Sequence, residues 1–256
     1  MSQDSWNPGQ YEKFKNERSR PFHDLAALVD PKGVRTIVDL GCGTGELTKL
    51  LHAKLKAQRT LGTDSSAQML DKAKAFAGEG VEFVMSPIES FEPYLPFDLV
   101  FTNAALQWLP NHRELIPRVL KWVAPRGQIA IQVPANFDHP SHTIAHALGQ
   151  EMFHGKLSGM AKGRSVLDVA EYAAILFRAG FEENRCRLEV YLHPMASGRD
   201  VVEWTKGTML TAFQSQLSPD EFEGFVAEYA KRLVAEIGEG PYLYAFKRIL
   251  VWGRRS

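Results

Sequence analysis

The run Val38-Asp39-Leu40-Gly41-Cys42-Gly43-Thr44-Gly45 joins a short β-branched segment, Thr36–Leu40, to a helical pattern, Glu46–Leu55. Glycines at a strand-to-helix turn permit dihedrals that a β-carbon forbids and let a ligand approach the backbone. The spacing is G-x-G-x-G, and Glu46 stands where a G-x-G-x-x-G dinucleotide fingerprint would carry its last glycine. That fingerprint rests a pyrophosphate on the helix N-terminus, where an acid would repel it. With Asp39 just before the first glycine, the turn suits an ammonium or a sulfonium better than a phosphate.

Downstream, apolar runs at 60–63, 81–85, 98–102 and 128–133 alternate with helical patterns at 67–77 and around 113–123. This alternation predicts a parallel sheet in an α/β fold, and runs this apolar suit strands covered on both faces. Further helices are expected from near Ser141 and over 168–179, the latter closed by Gly180. Runs at 185–193 and 242–251 predict two more strands, giving seven in all with an antiparallel hairpin at one edge. Upstream, 10–29 is amphipathic, and Pro21 within it predicts a kink or two helices.

The insertion at 194–240 contains Ser218-Pro219-Asp220-Glu221, a capping box with proline at the first helical position. Phe222, Phe225, Val226, Tyr229, Leu233 and Ile237 follow as one apolar stripe, expected to pack on the sheet. The expected fold is therefore α/β, a doubly wound, mostly parallel seven-stranded sheet of Rossmann-like type in a single structural domain. Within it, 1–34 is expected to cover the ligand and 35–135 to bind it. Residues 136–256 are expected to complete the sheet and carry helical insertions that form a lid.

The 256 residues carry 30 basic and 30 acidic side chains, so the net charge is zero. That argues against a sequence-independent nucleic-acid binder, which needs a basic surplus. Cys42 and Cys186 lie far apart and outside metal-ligand spacing, as expected of thiols in a reducing compartment. The first 14 residues are polar, without the apolar stretch of a secretory signal, and no apolar run approaches the ~18 residues of a membrane span. A cytoplasmic monomer, free of membrane and nucleic acid, is the expectation. Four histidines (His139, His142, His146, His154) invite a metal reading, but Pro140 interrupts their helical face and no acid or cysteine completes a set. No metal is expected.

Three more elements bear on the site. Asp64 ends the second strand about 20 residues past the glycines, where an acid can accept hydrogen bonds from both hydroxyls of an adenosine ribose. Ser65 and Met69 would flank the base; alternatively Asp64 or Ser65 caps the following helix. Ser86-Pro87-Ile88-Glu89, after the third strand, can offer a backbone amide to the base edge. The fourth strand runs out at Asn103 and Ala104, with Trp108 just beyond, at the natural mouth of an open α/β sheet.

In order and spacing, the glycine turn and these elements resemble the class I S-adenosylmethionine-dependent methyltransferases over residues 35–135. The resemblance implies S-adenosylmethionine as cofactor and S-adenosylhomocysteine as product, with the glycine turn at the amino-acid end and Asp64 on the ribose. Expected cofactor contacts are Tyr11, Arg20, Asp39, Gly41, Cys42, Gly43, Asp64, Ser65, Met69, Ile88, Glu89, Asn103, Ala104 and Trp108. Pro87 stands where such proteins often carry aspartate, which leaves the Ile88 amide and Glu89 for the adenine.

Trp6-Asn7-Pro8-Gly9-Gln10-Tyr11, Glu17-Arg18-Ser19-Arg20-Pro21 and the segments 133–142 and 202–208 are similar to the trans-aconitate methyltransferases. That likeness implies esterification of trans-aconitate or a closely related small polycarboxylate. A carboxylate with a pKa near ~4 is ionised at neutral pH, so no general base is expected. Positioning and desolvation would do the work. Arg18, His139, His142, Arg199, Trp204 and Lys206 are the expected acceptor contacts, with Arg20, Lys247 and Arg248 as further cations. Three alternatives stay open on sequence: another small acceptor such as a phenol or amine, a nicotinamide-dependent oxidoreductase, and a cofactor-binding regulatory protein without turnover.

Overall fold

The computed structural model describes residues 15–157 and 165–256, with side chains from Ser19 onward. The apolar runs become β1 (Thr36–Leu40), β2 (Arg59–Asp64), β3 (Val81–Met85), β4 (Phe97–Asn103), β5 (Val123–Pro134), β6 (Glu183–Met195) and β7 (Tyr242–Arg254). They make one seven-stranded sheet in the order β3-β2-β1-β4-β5-β7-β6. Parallel pairing runs from β3 through β5, and β7 lies antiparallel to β5. The two late strands are neighbours, as expected, with β7 inside and β6 at the edge. Chain order reverses between β1 and β4, so the connections after these strands diverge and leave a crevice at their carboxyl ends.

The chain divides into two units. The first comprises Ser19–Pro134, Ser165–Glu189 and Arg248–Ser256. Its helices include α1 (Lys15–Ala26, whose first residues precede the unit), α2 (Glu46–Leu55), α3 (Ala67–Ala73) and α4 (His112–Leu120). Phe22, Leu25 and Ala26 of α1 and Leu51 and Leu55 of α2 pack with Ile37, Leu99, Phe101 and Leu250 of the sheet. Val38, Val100 and Ile129, at alternate positions, are equally buried, so both faces are covered. Of the two alternatives expected at Pro21, two separate helices are not seen: α1 runs through the proline, its apolar face held in this core. The helix expected over 67–77 stops at Ala73, and Lys74–Phe76 tightens to a 3₁₀ turn.

Two further elements, α4 and α6 (Val169–Arg178), pack on each other. The Tyr172 hydroxyl donates to His112 Nδ1 at 2.6 Å, while His112 Nε2–H donates to Leu106 O at 2.8 Å. This tautomer follows from the carbonyl, which can only accept.

The second unit comprises, among the described residues, 15–18, 135–157 and 190–247. Its core joins α5 (Pro140–Met152), α7 (Gly198–Lys206), α8 (Thr211–Gln214) and α9 (Pro219–Ile237). Helix α9 begins at the predicted capping box, Ser218 Oγ accepting from the Glu221 amide and Glu221 Oε2 from the Ser218 amide. Its stripe packs mainly on α5 and α7, and Met195, Tyr242, Tyr244 and Phe246 join that core from the ends of β6 and β7. The expectation of packing on the sheet is therefore corrected. Ala145 and Leu148 on α5 and Val201 and Trp204 on α7 offer the apolar rows that the stripe needs. Among the described residues, no helix is long and apolar enough to cross a membrane.

Candidate active site

The glycine turn is held from below by β2. The amides of Gly41 and Cys42 both donate to Thr63 O, at 2.8 and 2.9 Å, and the Gly43 amide donates to Asp64 Oδ2 at 2.9 Å. Asp64 Oδ1 accepts from the Ser66 amide at 2.9 Å. One carboxylate thus pins the turn to the end of β2, each oxygen keeping further lone pairs. The cap of α3 is Ser66, whose Oγ accepts from the Met69 amide, so neither Asp64 nor Ser65 takes that role.

Gly41, Gly43 and Gly45 all have positive φ, at 74°, 56° and 77°. A β-carbon on Gly41 would sit 2.3 Å from that of Ala105, and one on Gly45 would strike the Phe83 ring at 2.7 Å. Gly43 differs: a β-carbon there would meet nothing within 4 Å. The turn is closed beneath and open at Gly43.

Asp39 is buried, and the Thr48 hydroxyl donates to its Oδ2 at 2.6 Å. Burial pushes its carboxyl up to about 7, with the nearby Asp64 charge adding to the rise. A cation arriving beside this acid would favour its charged form. Cys42 is buried in the same turn, and burial raises its thiol, so it is no nucleophile.

At the end of β4, Ala104 sits in the left-handed region at φ 54°. Its amide donates to Gln132 O at 3.0 Å and its carbonyl accepts from Gln107 Nε2 at 2.7 Å. Such backbone costs of order 1 kcal/mol and persists where its surroundings impose it. Around this corner Thr63 Oγ1, Asn103 Oδ1 and Gln107 Oε1 are buried and make no hydrogen bond among the described residues. Orphaned oxygens of this kind suit a ligand that brings donors. Arg118 forks onto the carbonyls of Ile88 and Glu89, which fixes that segment beside the turn.

The structure brings Asp39, Gly41, Cys42, Gly43, Asp64, Asn103 and Ala104 to the carboxyl ends of β1, β2 and β4, with Ile88 beside Gly41. Ser65 is exposed and Met69 half-buried at the start of α3, while the Glu89 side chain is exposed. Trp108 closes the 3₁₀ turn Leu106–Trp108 and is 53% exposed. Arg20 lies on α1, 71% exposed and 4.0 Å from Asp24. Tyr11 and the side chain of Arg18 lie outside the described residues.

A profile described as a methyltransferase domain matches residues 37–127. The trans-aconitate 2-methyltransferase of Deinococcus radiodurans is 41% identical over 253 residues, covering 96% of each chain. Its Escherichia coli counterpart is 35% identical over 255 residues and 98% of each chain. The chain belongs to the trans-aconitate 2-methyltransferase family. Solved structures agree on the Rossmann-like fold of this methyltransferase. A putative methyltransferase from Bacillus halodurans aligns with a TM-score of 0.59 at 16% identity, covering 91% of this chain and 97% of that one. Phosphoethanolamine N-methyltransferase 2 of Haemonchus contortus, solved with S-adenosyl-L-methionine, also gives 0.59 at 16% identity, covering 96% of this chain and 56% of its own.

The residues expected to meet the acceptor of this methyltransferase fare differently. Trp204 is 1% exposed and packs against His193, Tyr244 and Phe246, so its indole belongs to the helical core. His139 caps α5, its Nδ1 accepting from the Ser141 amide at 3.0 Å and its Nε2 lying 2.9 Å from the Tyr242 hydroxyl. Both ring nitrogens are engaged, and burial lowers its pKa. His142 is buried beside Ser141 and pushed down to about 3. Burial disfavours the charged form of both rings. Lys206 pairs with Glu203 at 2.6 Å, Lys247 with Asp138 at 2.5 Å, and Arg199 is exposed on α7. Among the described residues, no three His, Cys, Asp or Glu side chains group as a metal site would.

Sequence reasoning missed Thr48, Thr63, Phe83 and Arg118. Thr48 alone had a readable signal: it lies nine residues past Asp39, on the first turn of the helix that the glycine turn opens. The others arrive from separate strands and helices, without a local pattern.

Proposed function

We propose that this chain transfers the methyl group of S-adenosylmethionine to a carboxylate of trans-aconitate, giving a monomethyl ester and S-adenosylhomocysteine. The carrying observation is the glycine turn, closed beneath by Ala105 and Phe83, open at Gly43, and flanked by Asp39 and Asp64. Its charges and orphaned oxygens fit a cationic, donor-bearing nucleoside better than a pyrophosphate. The kinship with enzymes named for trans-aconitate supports the acceptor.

In this reading Asp39 and Asn103 Oδ1 face the ammonium, Gly41 and Gly43 give the backbone room, and the spare lone pairs of Asp64 accept the ribose hydroxyls. Cys42, Ala104 and Trp108 border the amino-acid and sulfur end. Ser65, Met69, Ile88 and Glu89 surround the adenine, and Tyr11 and Arg20 meet the cofactor carboxylate. Arg18, Arg199 and Lys206 remain the proposed cations for the acceptor.

When bound, S-adenosylmethionine supplies an electrophilic methyl, so a carboxylate oxygen forms the C–O bond while the C–S pair stays on sulfur. No proton changes hands, and the site needs no general base. The protein's part is alignment and exclusion of water. We further propose a monomer working in the cytoplasm, which light scattering and fractionation check. Incubation with both substrates, followed by mass spectrometry and NMR of the product, tests the reaction. A single monomethyl ester is expected; methyl transfer confined to phenols or amines would overturn the acceptor.

A further inference from the structure

The segment that leaves β4 is bounded by two non-glycine residues in the left-handed region, Ala104 at φ 54° and Asn111 at φ 53°. Such backbone is disfavoured for a residue with a β-carbon and persists where its surroundings impose it. At Ala104 those surroundings are Gln132 O, which accepts its amide, and Gln107 Nε2, which donates to its carbonyl. Between the two residues lies the 3₁₀ turn Leu106–Trp108, where Leu106 O accepts from the Leu109 amide at 2.9 Å.

The same carbonyl is also held from outside the turn. His112, 1% exposed at the start of α4, donates to it from Nε2–H at 2.8 Å. Its Nδ1 is left to accept from the Tyr172 hydroxyl of α6 at 2.6 Å, and that hydroxyl oxygen accepts from the Leu167 amide at 3.3 Å. The amide can only donate and the carbonyl only accept, so the hydroxyl and the ring pass the donation on between them. Burial disfavours a charged His112 ring, which would turn a second donor toward the Tyr172 hydroxyl. The line of bonds runs one way, from the backbone before α6 to the backbone after β4.

We propose that His112, oriented by Tyr172, is a positioning residue of the methyl transfer: it fixes the 3₁₀ turn so that Ala104 and Trp108 stand in place at the sulfur end of the cofactor. The proposal rests on the cofactor placement above and deepens it. His112 is itself buried and acts only through that turn. An imidazole suits the task because its two nitrogens belong to one rigid ring, so holding one of them aims the other. A shift of about 1 Å at the reacting centre is enough to cost about a hundredfold in rate. Binding is spread over the whole cofactor and changes far less.

Two substitutions in the full-length chain separate the two ends of the ring. His112→Gln keeps a donor near the place of Nε2 and so the bond to Leu106. His112→Asn keeps an acceptor near the place of Nδ1 for Tyr172 and loses Leu106. His112→Asn should lower kcat by about 10- to 100-fold, with the acceptor KM and the S-adenosylhomocysteine affinity within about threefold of wild type. His112→Gln should stay within about fivefold in kcat, and Tyr172→Phe, which releases the ring, should lose about three- to tenfold. Rates are measured with trans-aconitate or with whichever acceptor the wild type methylates, so a failed acceptor reading shows separately. Equal kcat losses in the two His112 variants, tracking their melting temperatures, would assign the ring to stability alone. A folded His112→Asn with wild-type kcat would overturn the proposal. If that variant does not fold, wild-type kcat in Tyr172→Phe overturns it instead. Should Gly43→Ala bind S-adenosylhomocysteine undiminished, the cofactor placement itself fails and the proposal falls with it.

Discussion

Asp39 and Asp64 flank the same glycines and do different work. Burial holds the Asp39 carboxyl near 7 against an ordinary value of 3.8. Because the folded chain keeps a proton that the unfolded chain releases, this stabilising contribution is complete below about pH 4 and is lost as pH rises through about 7. Asp39→Asn should therefore flatten the fall in melting temperature over that window. Above it the variant should be more stable by a few kcal/mol, because each tenfold change in acidity corresponds to about 1.4 kcal/mol. If Asp39 meets the ammonium, S-adenosylhomocysteine affinity in the wild type rises from about pH 6 to about pH 7.5, and the slope vanishes in the variant. A pH-independent wild-type affinity would remove Asp39 from the contact. For Asp64, Ala substitution removes acceptors from the Gly43 and Ser66 amides, so calorimetry and melting should both register it. Asp64→Asn, retaining an acceptor, should lose cofactor affinity with a smaller stability cost.

Among elements, the glycine turn separates conformation from ligand space. Gly41→Ala adds a clash with Ala105 to the strain of a positive φ, and should cost about 2–4 kcal/mol. Gly43→Ala meets no protein atom and should cost only about 1–2 kcal/mol of left-handed strain. The same change places a methyl in the open mouth, and S-adenosylhomocysteine affinity should fall by about tenfold or more, ~1.4 kcal/mol. Undiminished affinity in a folded Gly43→Ala protein would contradict the proposed approach of the cofactor. This turn was legible in sequence because its meaning is local: three glycines and an acid lie within seven residues of one another. The hydrogen bond from Arg248 on β7 to Gln132 on β5 was not legible, since 116 positions separate the two residues and only the β5–β7 register unites them. The surroundings of His139 and Trp204 were likewise not legible. His139 meets Tyr242, 103 residues away on β7, and Trp204 packs on His193, eleven residues before it on β6.

At the scale of the molecule, two cores stand on different logic. The sheet core was readable because β1, β4 and β5 are apolar on both faces, which only a doubly covered strand tolerates. The helical core around α9 was half readable: Ser218 marked where the helix begins, but nothing in its stripe told α5 and α7 from the sheet. Phe225 stacks on Phe213 at 4.8 Å within that core. Phe225→Ala should destabilise the protein by about 3–5 kcal/mol in chemical denaturation, while the glycine turn keeps its S-adenosylhomocysteine affinity at low temperature. Esterification of a small polycarboxylate is the activity proposed for this methyltransferase. Its most direct test is the steady-state transfer of labelled methyl from S-adenosylmethionine across tri-, di- and monocarboxylates, a phenol and an amine. The expected result is a kcat/KM highest for trans-aconitate and falling as carboxylates are removed. Equal transfer to monocarboxylates, or transfer to the phenol or amine alone, would contradict it.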